Sequence, residues 1–191
     1  MIIGITGGTG SGKSTLLHLI EQQGGMVLDC DAIYHELLQT DADLLMRIEN
    51  CFPGTVSDGT LDRKKLGAIV FQDDAALQEL NLITHAAVKK EVLRRLEAKP
   101  SLAAIDAIGL FEGELDTLCD VTVAVTAPTA DRIRRIMARD GISEEYATNR
   151  IAAQHSDNWF ASKCDHILEN DNTMEEFTAK CVAFFHKLGI I

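Results

Sequence analysis

Met1-Ile2-Ile3-Gly4-Ile5-Thr6-Gly7-Gly8-Thr9-Gly10-Ser11-Gly12-Lys13-Ser14-Thr15-Leu16-Leu17 opens the chain, and its reading decides the fold. A short apolar run, Met1 to Ile5, reads as a buried strand, and the residues from Thr15 onward read as a helix. Between them stands Gly-x-x-x-x-Gly-Lys-Ser, the P-loop pattern, whose context of strand before and helix after is what gives it specificity. Glycines let the backbone turn tightly and aim several N–H groups at an anion. The helix N-terminus that follows adds partial positive charge at the same place. Gly8, Thr9, Gly10, Ser11, Gly12, Lys13, Ser14 and Thr15 are therefore the candidate nucleotide-binding loop. Lys13 is expected to reach the β- and γ-phosphates, with the Ser14 hydroxyl on Mg²⁺. The pattern implies binding of a nucleoside triphosphate.

Composition narrows the surroundings. A chain of 191 residues, 46% of them apolar and only three of them proline, is expected to be one ordered domain with a substantial core. No apolar run approaches the ~20 residues needed to cross a bilayer. The first strand leaves no room for a basic region and cleavage site, so a cytoplasmic location is expected. Five scattered cysteines without a C-x-x-C pair exclude the usual zinc and disulfide frameworks. A formal charge of −11 disfavours nucleic acid and anionic membranes as partners. It also requires that the lysines and arginines meeting a triphosphate be concentrated locally.

Strand-like runs alternate with amphipathic helices, the signature of an α/β parallel sheet. Strands are expected at Met1–Thr6, Met26–Leu28, Leu102–Ile108, Val121–Thr126 and His166–Leu168. Helices are expected from Lys13 to Gln23 and from an N-cap at Thr173 to about Leu188. The expected architecture is a P-loop NTPase fold, a five-stranded parallel sheet flanked by helices, in a single domain spanning 1–191. Its core comprises about 1–31, 100–128 and 164–191. Residues 32–99 read as helical throughout, broken at 52–54 and 57–59, and are too long for a simple crossover. They are expected to be a substrate-binding insertion. Residues 129–163 read as an arginine-rich helical pair, placed where a lid would sit.

Candidate chemistry follows from carboxylates and arginines. Asp29 and Asp31 fall at the end of the second strand, where open α/β sheets bind ligands. Asp31 is the candidate base toward an acceptor hydroxyl, whereas Asp29 either serves the site or caps the next helix. Asp106 and Glu112 bracket the third strand's end, and either a metal-bound water or a turn accounts for them. Arg135 and Arg139 are four apart and share a helix face, and a planar guanidinium suits phosphate oxygens. A lid role is expected for Arg139. Surface solvation is expected for Arg132, with Arg134 open.

These residues, taken in order, resemble the dephospho-coenzyme A kinase family. Thr6-Gly7-Gly8 through Lys13-Ser14 and Leu28-Asp29-Cys30-Asp31-Ala32 are similar to that family's opening. Asp58-Gly59-Thr60-Leu61-Asp62-Arg63, followed by Leu66 and Phe71, resembles its insertion, as does Leu82-Ile83-Thr84-His85. Leu110-Phe111-Glu112, then Arg135 to Gly141, Ile151-Ala152-Ala153-Gln154 and Glu169-Asn170 continue the match to the far end. The resemblance implies transfer of the ATP γ-phosphate to the ribose 3′-hydroxyl of dephospho-coenzyme A, the last step of coenzyme A synthesis. It implies Asp31 as base, and Lys13, Arg135 and Arg139 on phosphates. Arg63 and His85 would lie toward the acceptor, and adenine between the lid and the Asn170 turn. It leaves oligomeric state open.

The chain departs from the family pattern at Ala86, where proline is usual, and at Lys89, Ile108-Gly109 and Thr9. Two other readings remain: a small P-loop kinase for a nucleoside monophosphate or small alcohol, and a non-catalytic ATP-binding module.

Overall fold

The computed structural model describes residues 1–191. In chain order the elements are β1 (Ile2–Thr6), α1 (Lys13–Gln22), β2 (Met26–Asp29), α2 (Cys30–Thr40) and α3 (Ala42–Cys51). A short hairpin, β3 (Val56–Ser57) and β4 (Thr60–Leu61), precedes α4 (Arg63–Val70) and α5 (Asp74–Leu96). The chain continues through β5 (Ala103–Asp106), β6 (Val121–Thr126), α6 (Thr129–Asp140), α7 (Glu144–Ala152), α8 (Asp157–Lys163), β7 (His166–Glu169) and α9 (Met174–Leu188). Two compact units result: one holds Met1–Leu28, Pro100–Leu110 and Leu115–Ile191, the other Asp29–Lys99 and Phe111–Glu114. No helix is long and apolar enough to cross a membrane.

The first unit is built on a five-stranded sheet in the order β2-β5-β1-β6-β7. β1 lies parallel between β5 and β6, with Ile5 opposite Asp106 on one side and Val123 on the other. Successive strand side chains point to opposite faces, so Ile3, Ile5, Val123 and Val125 all bury on one face. Helices α1 and α9 cover that face with Leu16 and Ile20 from one, and Phe177, Cys181, Phe184 and Phe185 from the other. The last helix starts on a capping box: Thr173 Oγ1 accepts from Glu176 N, and the Glu176 carboxylate accepts from Thr173 N. Two otherwise orphaned donors are thereby satisfied.

The second unit is organised around α5, which packs against α2, α3 and α4. Ile33, Leu37, Leu44, Ile48, Leu66, Ile83, Val88 and Val92 are buried there. Asp29, Asp41, Asp62 and Asp73 cap α2, α3, α4 and α5 by accepting first-turn N–H groups. Four of the 29 acids therefore have structural work at helix N-termini in this unit.

The structure corrects three sequence expectations. Residues 32–99 are not helical throughout: Asp58 (φ 49°) and Gly59 (φ 72°) form the turn of an antiparallel hairpin. Asp-Gly with both residues at positive φ is the favoured two-residue hairpin turn. The segment 129–163 forms three helices rather than two, because Ser156 caps a third, α8. The third strand spans only Ala103–Asp106, beyond which Ala107 N makes a further bond to Ile5 O (3.1 Å).

Phe177 is 1% exposed and its ring lies under the loop between β1 and α1. Phe177→Ala is expected to cost about 3–5 kcal/mol of folding stability, read as a lowered urea midpoint.

Candidate active site

The loop Gly7–Gly12 carries a complete set of partners for its carbonyl groups. Lys13 Nζ donates to Gly7 O (3.1 Å). Ser11 N donates to Gly8 O (3.1 Å), and Thr15 N to Gly12 O (3.1 Å). Arg132 Nε holds Thr9 O (3.0 Å). Arg135 Nη1 reaches both Gly10 O (3.2 Å) and Ser11 O (3.3 Å), and Asn170 Nδ2 also donates to Ser11 O (2.8 Å). With the acceptors engaged on one side, the N–H groups of Gly10, Gly12, Lys13 and Ser14 donate to no carbonyl within the protein. These donors and the start of α1 make a concave, positively polarised nest of the kind that takes phosphate.

Two glycines are required by this packing. A Cβ on Gly8 would run into the Arg132 guanidinium, and one on Gly12 would run into the Asn170 amide. Gly12 also sits at φ 106°, where other residues are strained. Ser11 Oγ is buried and has no hydrogen-bond partner, an unmet polar group inside the cradle.

Arg132 overturns the expectation of surface solvation. It is 3% exposed, and its fork spans Thr9 O, Asp157 Oδ1 (3.2 Å) and Gln154 Oε1 (3.1 Å). Burial works against its charge, while Asp157 supports it. Arg134 is exposed and pairs only with Asp131 (2.7 Å).

Lys13 lies 3.8 Å from Asp106 Oδ1, which joins the acid at the end of β5 to the loop. Ser14, at the helix start, is exposed. Asn170 is buried, and its Oδ1 accepts from Arg135 Nη2 (3.3 Å). Arg139 is 59% exposed and donates to both oxygens of Asp140 (2.6 and 2.9 Å), which Arg150 also meets (2.7 Å). Hydrogen bonding from Arg139 holds the Asp140 carboxyl below the usual range, so it stays ionised as a partner. The structure thus gathers Gly8–Thr15, Arg135 and Asn170 at the loop and leaves Arg139 at the far end of α6.

Asp31, Arg63 and His85 belong to the second unit. Asp29 proves to be the N-cap of α2, accepting from Ala32 N (3.0 Å), and the exposed Asp31 occupies the first turn. Arg63 is the exposed first residue of α4, and His85 is half-buried on α5. Tyr34 was not anticipated: burial pushes its phenol above the ordinary value, and nearby Arg63 opposes this. Its spacing of three from Asp31 puts both on one face of α2, a signal present in the sequence.

A strand, an amide-lined loop with a terminal lysine, a helix and an arginine-bearing segment after β6 define a P-loop phosphotransferase. The model of the dephospho-CoA kinase family matches residues 1–176. A dephospho-CoA kinase of Leifsonia xyli is 39% identical, covering 92% of each chain. A solved structure from Thermus thermophilus is 33% identical with a TM-score of 0.83, covering 98% of this chain and 97% of that one. The structure of the dephospho-CoA kinase of Campylobacter jejuni is 25% identical with a TM-score of 0.68, covering 98% of this chain and 96% of that one. The chain belongs to the dephospho-CoA kinase family.

Gly8→Ala forces a methyl into the Arg132 guanidinium, and overpacking of this kind is expected to cost about 2 kcal/mol. Thermal unfolding of the nucleotide-free variant measures it, and an unchanged midpoint would refute the close approach.

Proposed function

We propose that this chain is a cytoplasmic dephospho-CoA kinase that moves the γ-phosphate of ATP to the 3′-hydroxyl of the acceptor's ribose, completing coenzyme A. The observation that carries this reading is the loop after β1, its carbonyls engaged and its N–H groups left for an anion. Family membership supports the acceptor.

Lys13 leaves its contact with Gly7 O to meet the β- and γ-phosphates, where a cation is most needed as charge shifts to the leaving oxygen. Arg139 exchanges Asp140 for phosphate oxygens on closure, while Arg135 lends positive field from behind the loop. Adenine lies between the segment after β6 and the Asn170 turn. Asp31 accepts the ribose hydroxyl proton, because an alcohol is a weak nucleophile at neutral pH. The new bond joins the 3′-oxygen to phosphorus as the bond to the β-phosphate oxygen breaks, giving ADP. Arg63 and His85 receive the acceptor.

The residues present also fit Mg²⁺, which is usually held by one or two protein oxygens together with substrate phosphates. The exposed Ser14 hydroxyl and the half-buried Asp106 carboxylate beside Lys13 are such oxygens. Bound there, the ion would neutralise charge across the β- and γ-phosphates.

Incubation with ATP, Mg²⁺ and either dephospho-CoA or a panel of nucleoside monophosphates, scored by ADP formed, tests the assignment. ADP is expected with dephospho-CoA, and faster turnover of any monophosphate would overturn the acceptor. Lys13→Ala is expected to lower kcat at least 10²-fold, on the order seen when a preorganised charge-stabilising donor is lost. Asp31→Asn is expected to reduce kcat while ATP affinity by calorimetry stays within about twofold. A change confined to ATP affinity would move Asp31 to the metal side of the site.

A further inference from the structure

One residue of the loop is gripped at every polar atom. Thr9 N donates to Gln154 Oε1 (2.9 Å), Gln154 Nε2 donates to Thr9 Oγ1 (2.7 Å), and Thr9 O accepts from Arg132 Nε (3.0 Å). The same Gln154 oxygen accepts from Arg132 Nη2 (3.1 Å), and Arg132 Nη1 is anchored on Asp157 Oδ1 (3.2 Å). The orientation of the Gln154 amide is forced. Flipped, its NH₂ would face the Thr9 N–H and the Arg132 guanidinium, donor against donor. Thr9 is itself buried, as is Arg132, while Gln154 is half-buried.

Four of the six residues Gly7–Gly12 are glycine, and such a stretch has no intrinsic preference for one shape. We infer that Arg132 and Gln154 are positioning residues for phosphoryl transfer, locking Thr9 so that the loop's N–H groups are set for the triphosphate before ATP arrives. The inference rests on the reading that this loop grips ATP. Neither side chain touches the reacting atoms. They act by removing the ordering cost that nucleotide binding would otherwise carry, so their loss weakens ATP and leaves the acceptor alone. The lock is specific to a hydroxyl-bearing residue at position 9, since an apolar one would leave Gln154 Nε2 unsatisfied.

The test compares Gln154→Leu, which keeps the volume and removes both amide poles, with the wild-type chain. ATP binding is measured by calorimetry without acceptor, with KM for each substrate, kcat and the nucleotide-free unfolding midpoint. The expected result is an ATP Kd raised about tenfold, KM for dephospho-CoA within twofold, and an unfolding midpoint within a few degrees. Thr9→Val deletes only the hydroxyl end and is expected to give the same split at about threefold. It carries the test should Gln154→Leu not fold. Arg132→Lys, which retains charge without the fork, is expected to resemble Gln154→Leu. Unchanged ATP affinity in both Gln154→Leu and Thr9→Val, or an equal loss for both substrates, overturns the inference. Normal ATP binding and turnover in Lys13→Ala would instead remove the reading of the loop beneath it.

Discussion

A phosphate nest needs donors facing inward, and a peptide offers a carbonyl for every N–H it presents. The site depends on solving that constraint. In this chain the carbonyls of the loop are drawn outward by Lys13, Arg132, Arg135 and Asn170 and by two backbone amides. The cations thus act on the loop's acceptors and at the same time raise the potential in the nest that its N–H groups line. That resolves the paradox of an acidic protein of net charge −11 taking a polyanion. Its surplus carboxylates are placed elsewhere, several of them capping helices.

The sheet behind the loop serves the same end. β1 is hydrogen-bonded on both sides, so the residue from which the loop springs is held by β5 and β6. Helices α1 and α9 clamp the face below, and Phe177 reaches up toward Gly12. Rigidity there lets a glycine-rich segment keep one geometry.

Much of this was legible from residue pattern alone. β6 at Val121–Thr126 and the N-cap at Thr173 fell where expected, because alternation and capping are local signals. The family was legible from motif order, and the comparisons support it. The hairpin around Asp58 was missed because strands of two residues carry no periodicity, although Asp-Gly itself was a turn signal. Arg132 was misread for a different reason. Its burial is decided by a carbonyl 123 residues away, and no window along α6 contains that partner. Thr9 offered the only hint, since a polar side chain in a buried loop must find a polar partner. Tyr34 had a weak local cue in its spacing from Asp31, whereas the burial that raises its phenol, opposed by Arg63 on another helix, is not local.

The long reach of these bonds bears on how the molecule is made. The loop is far in sequence from its carbonyl partners Arg132, Arg135 and Asn170, the last 159 positions beyond Ser11. Closing chain segments of that size is an entropic task that waits for the intervening core. A chain ending before Asn170 would carry the whole glycine signature without the amide that donates to Ser11 O. The shape of the loop is therefore a property of the assembled unit rather than of the glycine-rich segment that carries its signature.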